Sequence, residues 1–219
     1  TNKRTGEVQQ VPEGVMPMFN YPPGGRRENL SKFITDKVIS APAPLGATFW
    51  AANEKSLQPE LRKMFADWSQ QVLQDGLARG KWRVAGFMSP VDVAFLTALD
   101  KAPQSAEIAI QDRLIVGKKA ERHQQAGDAL TPEEWAALPD GLAEKLEAVL
   151  YDTETGNLLY VTASQDDPRK IKVVVQPDFV TRKPKTTVNM GRAAHKILAA
   201  DLKGGIKGGK YEVVRGQIE

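Results

Sequence analysis

Residues 148–162 read AVLYDTETGNLLYVT. Two short apolar runs, residues 148–152 and 158–162, flank Thr153-Glu154-Thr155-Gly156-Asn157. Apolar run, turn residues, apolar run predicts a β-hairpin. Toward the C-terminus, residues 165–168 predict a turn and KIKVVVQ (170–176) a third strand. Residues 186–189 are a candidate fourth strand. Residues 192–202 then place Ala193, Ala194, Ile197, Leu198 and Leu202 at helical spacing, with Gly204-Gly205 as the stop. Residues 211–214 predict a last strand.

Toward the N-terminus the period changes from two to that of a helix. Leu57, Leu61, Met64, Phe65, Trp68, Val72, Leu73 and Leu77 share one face, which predicts a helix from near Ser56 to a stop at Gly80. Residues 81–87 predict a short strand. Ser89-Pro90-Val91-Asp92 is a helix start, with Ser at the cap and Pro at the first helical position; that helix should reach about Leu99. Residues 106–111 alternate as a strand, Asp112-Arg113 make a turn, and 117–125 form a polar helix. Thr131-Pro132-Glu133-Glu134 is a capping signature. Helices followed by a meander predict an α+β fold, helices packed on an antiparallel β-sheet.

Seven of the 14 prolines lie at or before Pro59, and residues 1–55 show no sustained period. They predict a Pro/Gly-rich extended arm or linker. Met16, Met18, Phe19 and Tyr21 are too apolar for a solvated linker and predict docking onto this protein or a neighbour. The expected division is an arm over 1–55, an amphipathic helix and connecting strand over 56–89, and one α+β domain over 90–219.

Composition excludes several chemistries. The 219 residues contain no Cys and two His, His123 and His195, so disulfides, thiolate nucleophiles, Fe–S clusters and His-rich metal sites are out of reach. No apolar run approaches the ~20 residues that cross a bilayer, and TNKRTGEVQQ has no secretory h-region, so no membrane partner is expected. The net charge of +3 hides an asymmetry. Residues 165–219 hold 12 Lys+Arg and 6 Asp+Glu, hence +6, and the preceding residues hold 18 and 21, hence −3. A basic tail suits an anionic partner, or else a Lys-protected β-surface.

Nucleotide motifs fail. Residues 204–210, GGIKGGK, are followed by Tyr211 rather than Ser or Thr, so this is a basic turn and not a P-loop. No cofactor is expected. What remains is proton transfer by His with Lys and Arg holding charge, as in metal-independent ribonuclease transesterification. Lys118-Lys119 precede Arg122-His123, and a helix places Lys119 and His123 on one face. A surface helix with an incidental His fits the same residues, and a packing role fits His195.

Ala102-Pro103-Gln104-Ser105 and the following IAIQDRLIVGKKAERHQQAGDALTPEEWAALPDGL resemble the C-terminal domain of Mu F-type phage minor head proteins. AVLYDTETGNLLYV, KIKVVVQ, TTVNMG and AADLKGGIKGGKYEVV are similar in order and spacing. VPEGVMPMFNYPPGG resembles the junction after the Mu F head-morphogenesis domain, with Asn20 in place of Asp and Pro22 where Asn is common. The resemblance spans roughly residues 11–219 and lacks the head-morphogenesis domain itself, as a fragment or a processed or separately encoded product would. It implies a barnase/EndoU/RelE-like nuclease fold and RNA as substrate. On it, His123 is the acid or base, Lys119, Arg122 and Lys172 hold phosphate, and Asn189 orients the scissile group. Asp152 and Tyr160 fall on matching strands. Lys170, Lys207 and Lys210 complete the expected substrate-binding set.

Two functions from different classes follow. One is a phage head-associated protein with a toxin-like ribonuclease domain, acting in the virion or host cytoplasm and paired with an immunity protein. The other is a non-catalytic minor capsid protein whose arm binds neighbouring head or portal subunits. A third, a DNA-contacting module, rests on the basic tail.

Overall fold

The computed structural model describes residues 41–219. Met16, Met18, Phe19 and Tyr21, on which the docking-arm expectation rests, lie outside the described residues. The first element is a long helix, α1 (Ala43–Asp75), ending where Gly76 turns left-handed (φ 66) and returns its N–H to the Val72 carbonyl. It starts well before Ser56, so the last part of the expected arm is helical. Pro42 and Pro44 sit at its N-terminus, where a missing N–H leaves no helical bond unmade.

The chain continues through β1 (Trp82–Phe87), α2 (Pro90–Ala98), β2 (Glu107–Gln111), a 3-10 turn (Asp112–Leu114), α3 (Lys118–Ala126), α4 (Pro132–Ala136) and α5 (Leu138–Gly141). Both predicted caps form. Ser89 Oγ accepts from the Asp92 N–H (3.2 Å) and Asp92 Oδ2 accepts from the Ser89 N–H (3.1 Å). Thr131 and Glu134 repeat the box on α4. Then come β3 (Leu146–Asp152), β4 (Leu158–Ala163), β5 (Lys170–Val180), β6 (Thr187–Ile197), α6 (Ala199–Lys207) and β7 (Tyr211–Gly216).

The predicted hairpin is β3–β4, in register Tyr151↔Leu158. One seven-stranded sheet runs β1-β2-β6-β5-β4-β3-β7. It is not purely antiparallel: β2 and β6 run parallel, with Ile108 beside Asn189 and Ile110 beside Gly191. The expected helix over 192–202 is corrected. Residues up to Ile197 remain in β6, paired with β5 as Lys172↔His195 and Lys170↔Ile197. The continuous ladder with β5, and the Lys196 N–H bond to the Asp128 carbonyl on the other side, outweigh the helical propensity of AAHKIL. Gly204-Gly205 lies inside α6 rather than ending it. Gly205 is needed there, because a Cβ would meet the Tyr211 ring at 2.5 Å.

Alternation divides the sheet into two faces. On the first, Val149, Tyr151, Leu158, Tyr160, Ile171, Val173 and Ala194 pack with Phe65 and Val72 of α1, Leu96 of α2, and Trp135 and Leu138. On the second, Ala148, Leu150, Leu159 and Val161 pack with Leu202 of α6, Tyr211 and Ile218. Each such fully buried aliphatic side chain contributes roughly 1.5–3 kcal/mol relative to exposure. Since α1 shares the first core and β1 pairs with β2, both belong to one body with residues 90–219.

Candidate functional site

The chemistry-bearing residues gather where α3 lies along β6 on the second face. Next to it, Gly191 lets β2 lie close against β6: a Cβ there would strike Ile110 Cδ1 at 2.5 Å. Two contacts one helical turn apart seat the helix. Lys119 Nζ donates to the Arg192 carbonyl, and the His123 ring stacks on His195 with centroids 5.0 Å apart and planes 14° apart. The expectation that Lys119 and His123 share a face therefore has a structural counterpart. His195, read from sequence as helical, reaches His123 from β6.

Asp128 holds the pair. Its Oδ1 accepts from His123 Nδ1 at 2.8 Å, its Oδ2 lies 3.8 Å from His195 Nδ1, and its carbonyl accepts from the Lys196 N–H at 2.7 Å. His195 Nδ1 donates to the Lys196 carbonyl (3.0 Å). A carbonyl or carboxylate partner fixes the proton on each Nδ1 and leaves each Nε2 as the free lone pair. Burial lowers the His195 pKa, against the Lys196 carbonyl, with Lys172 and His123 adding to the depression. Lys172 faces His195 across the β5–β6 ladder, and burial followed by Lys210 lowers its pKa. Lys119 is lowered too, by burial and then by Arg192, Arg113 and Arg122.

The other sequence candidates lie elsewhere. Asn189 is fully buried; its Nδ2 donates to the Ser105 and Glu107 carbonyls and its Oδ1 accepts from the Asp178 N–H. That is a clasp between β2, β5 and β6, away from the histidine pair. Tyr160 is buried on the first face. Its hydroxyl donates to Asp92 Oδ2 (2.9 Å), and burial, then the Asp92 charge, pushes its pKa well up. Asp152 accepts from the Glu154 and Thr155 N–H groups in the hairpin turn. Lys170 pairs with Glu147 at 2.7 Å. Lys207 is exposed at the end of α6, and Lys210 sits 5.4 Å over the Tyr211 ring.

Sequence reasoning passed over Arg113, Asp128 and Arg192 and gave His195 a packing role. Arg192 and His195 come into reach because residues up to Ile197 belong to β6, which RAAHKI does not announce by alternation. Among the described residues no group of three or more His, Asp or Glu could hold a metal ion, and no helix is long and apolar enough to cross a membrane. A cleft of about 450 Å³ lined by Lys101, Asn157, Gln176 and Asp178 contains none of the predicted residues.

Fold and site thus define an α+β protein with a cationic, histidine-bearing face on one side of its sheet. The chain is similar to the Mu-like prophage FluMu F protein of Haemophilus influenzae, 27% identical over 161 residues, or 71% of this chain and 38% of that protein. It therefore spans well under half of that relative's length. This similarity supports the resemblance to Mu F-type phage proteins. No family model and no solved structure matches.

Proposed function

We propose that the chain is a head-associated structural protein of a Mu-like phage, residing in the virion and binding neighbouring head or portal subunits. The similarity to the Mu-like prophage F protein over 71% of the chain carries this reading. Co-expression with the head and portal proteins of its own phage tests it. The chain should co-sediment with assembled particles, and removal of residues 1–40 should weaken that association. A chain that stays at the top of the gradient in every combination overturns the reading.

One observation favours a second activity, metal-independent RNA cleavage. His123 and His195 stack with both Nδ1 atoms engaged and, among the described residues, no hydrogen bond to either Nε2, and Lys172 pairs with His195 across the β5–β6 ladder. In this reading one neutral imidazole takes the ribose 2′-OH proton on its Nε2, the other, entering the step as an imidazolium, gives its Nε2 proton to the leaving 5′ oxygen, and Lys172 and Lys119 balance the phosphorane charge. Arg122 would steer phosphate, and a host carrying the active protein would need an immunity partner. Cleavage should survive EDTA and leave 2′,3′-cyclic ends. His123→Ala should slow it roughly 10²–10⁴-fold. Absence of any EDTA-resistant cleavage sinks this activity and leaves the head role standing.

A further inference from the structure

Arg113 on the 3-10 turn, Lys119 and Arg122 on α3 and Arg192 on β6 form a cluster without counter-charge. Lys119 Nζ reaches the Arg192 carbonyl, Arg122 lies one turn on from Lys119 along α3, and the 3-10 turn bearing Arg113 packs on β6; in keeping with that, burial and then the three arginines lower the Lys119 pKa, and burial and then Arg113 lower that of Arg192. Among the described residues, no carboxylate lies within ion-pair distance of any of the four. Elsewhere Arg62, Arg79, Lys63, Arg169, Lys170, Lys196 and Arg215 each have one.

Two of the four are held in place. The Arg192 guanidinium lies 4.4 Å over the Phe179 ring, and its Nη1 is buried with no hydrogen-bond partner. Lys119 is tied to the Arg192 carbonyl. Crowded like charges are unfavourable unless a ligand supplies the missing negative charge. An orphaned guanidinium N–H adds an unused donor.

We propose that Arg113, Lys119, Arg122 and Arg192 bind the phosphodiester backbone of a nucleic acid. Three of the four are arginines, whose planar fork matches phosphate oxygens. Four charges exceed what one carboxylate neutralises, whereas a phosphodiester chain brings a negative charge with every nucleotide. Phe179 is already covered by Arg192, so contacts fall on the backbone rather than on stacked bases, and binding is indifferent to sequence. The site shares Lys119 and Arg122 with the RNA-cleavage reading, adds Arg113 and Arg192, and requires binding without cleavage.

Fluorescence anisotropy of labelled oligo-dT with the full chain tests it. This probe lacks the 2′-OH, so a ribonuclease cannot consume it. Binding should be saturable and weaken steeply with salt. Arg113→Gln/Arg122→Gln changes two exposed side chains and should weaken binding about tenfold and reduce the log–log salt slope by about 1.4. Lys55→Gln/Lys145→Gln removes the same charge from two other exposed positions and should stay within about twofold. Matched melting curves establish that both variants fold. Equal loss in both variants, no loss in the first, or displacement of the strand by poly-glutamate at equal charge concentration overturns the proposal.

Discussion

The two faces of the sheet use the same polar residue types in opposite ways. On the first, every buried charge has a counter-charge. Asp92, fully buried, accepts from Arg215 Nε at 2.7 Å and Nη2 at 3.1 Å, from Tyr160, and from its own cap. Lys196 reaches Glu134 at 3.0 Å and Asp167 at 3.5 Å. There, burial pushes the Glu134 carboxyl up, but hydrogen bonds from Ser164, the Thr131 N–H and Lys196 outweigh it and leave a lowered pKa. On the second face, cations crowd one another and the histidines share a single carboxylate. Matched charges mark framework, and unmatched charges mark the place where another molecule must complete the balance.

The largest expected effect breaks the matched side. Arg215→Ala strands the Asp92 carboxylate in the core and should cost about 3–5 kcal/mol in urea unfolding. A loss below about 1 kcal/mol would mean that Asp92 is satisfied without its cation.

A smaller effect comes from Glu107 on β2, a buried acid without a counter-charge among the described residues. Its Oε1 accepts from Ser105 Oγ at 2.7 Å and its Oε2 is buried without a partner. Burial raises its pKa from 4.5 to about 7, opposed by the Ser105 hydrogen bond. The folded state thus keeps a proton that the unfolded chain has released above 4.5. The associated stability is complete below 4.5 and is lost as pH rises through about 7. Glu107→Gln should therefore gain about 1–3 kcal/mol at a pH above 7 and nothing in acid. An equal gain at both ends of the pH range would refute the titration.

The smallest effect is expected on the unmatched side. Arg113→Gln/Arg122→Gln should shift stability by no more than about 0.5 kcal/mol, since neither side chain has a partner among the described residues. A large loss would move that cluster into the framework class.

Local chemistry was legible in the sequence. The β3–β4 hairpin and the caps at Ser89 and Thr131 depend on residues a few positions apart. The β6 strand was misread because Ala193, Ala194, Ile197 and Leu198 also satisfy helical spacing. Its true partners, Lys172 on β5 and Ile108 on β2, are distant in sequence. The site suffered accordingly: His123 and Lys119 were visible on α3, while His195 and Arg192 depended on the strand. The start of α1 was hidden because Pro42 and Pro44 read equally as an arm. A single chain also carries no sign of a parallel pairing between β2 and β6.

That parallel pairing bears on the order of events during synthesis. The β1–β2 ribbon leaves the ribosome long before β6, so one side of β2 waits unpaired while α3, α4 and the β3–β4 hairpin form locally. Only when Asn189 arrives can its amide take the Ser105 and Glu107 carbonyls and join the early half to the late one. Such non-local closure is slow, and it leaves β2 open to pairing with a second chain in the interval. The stretch most exposed to misassembly is thus Ile108–Ile110, which pairs with β6 only once residues 189–191 have been synthesised.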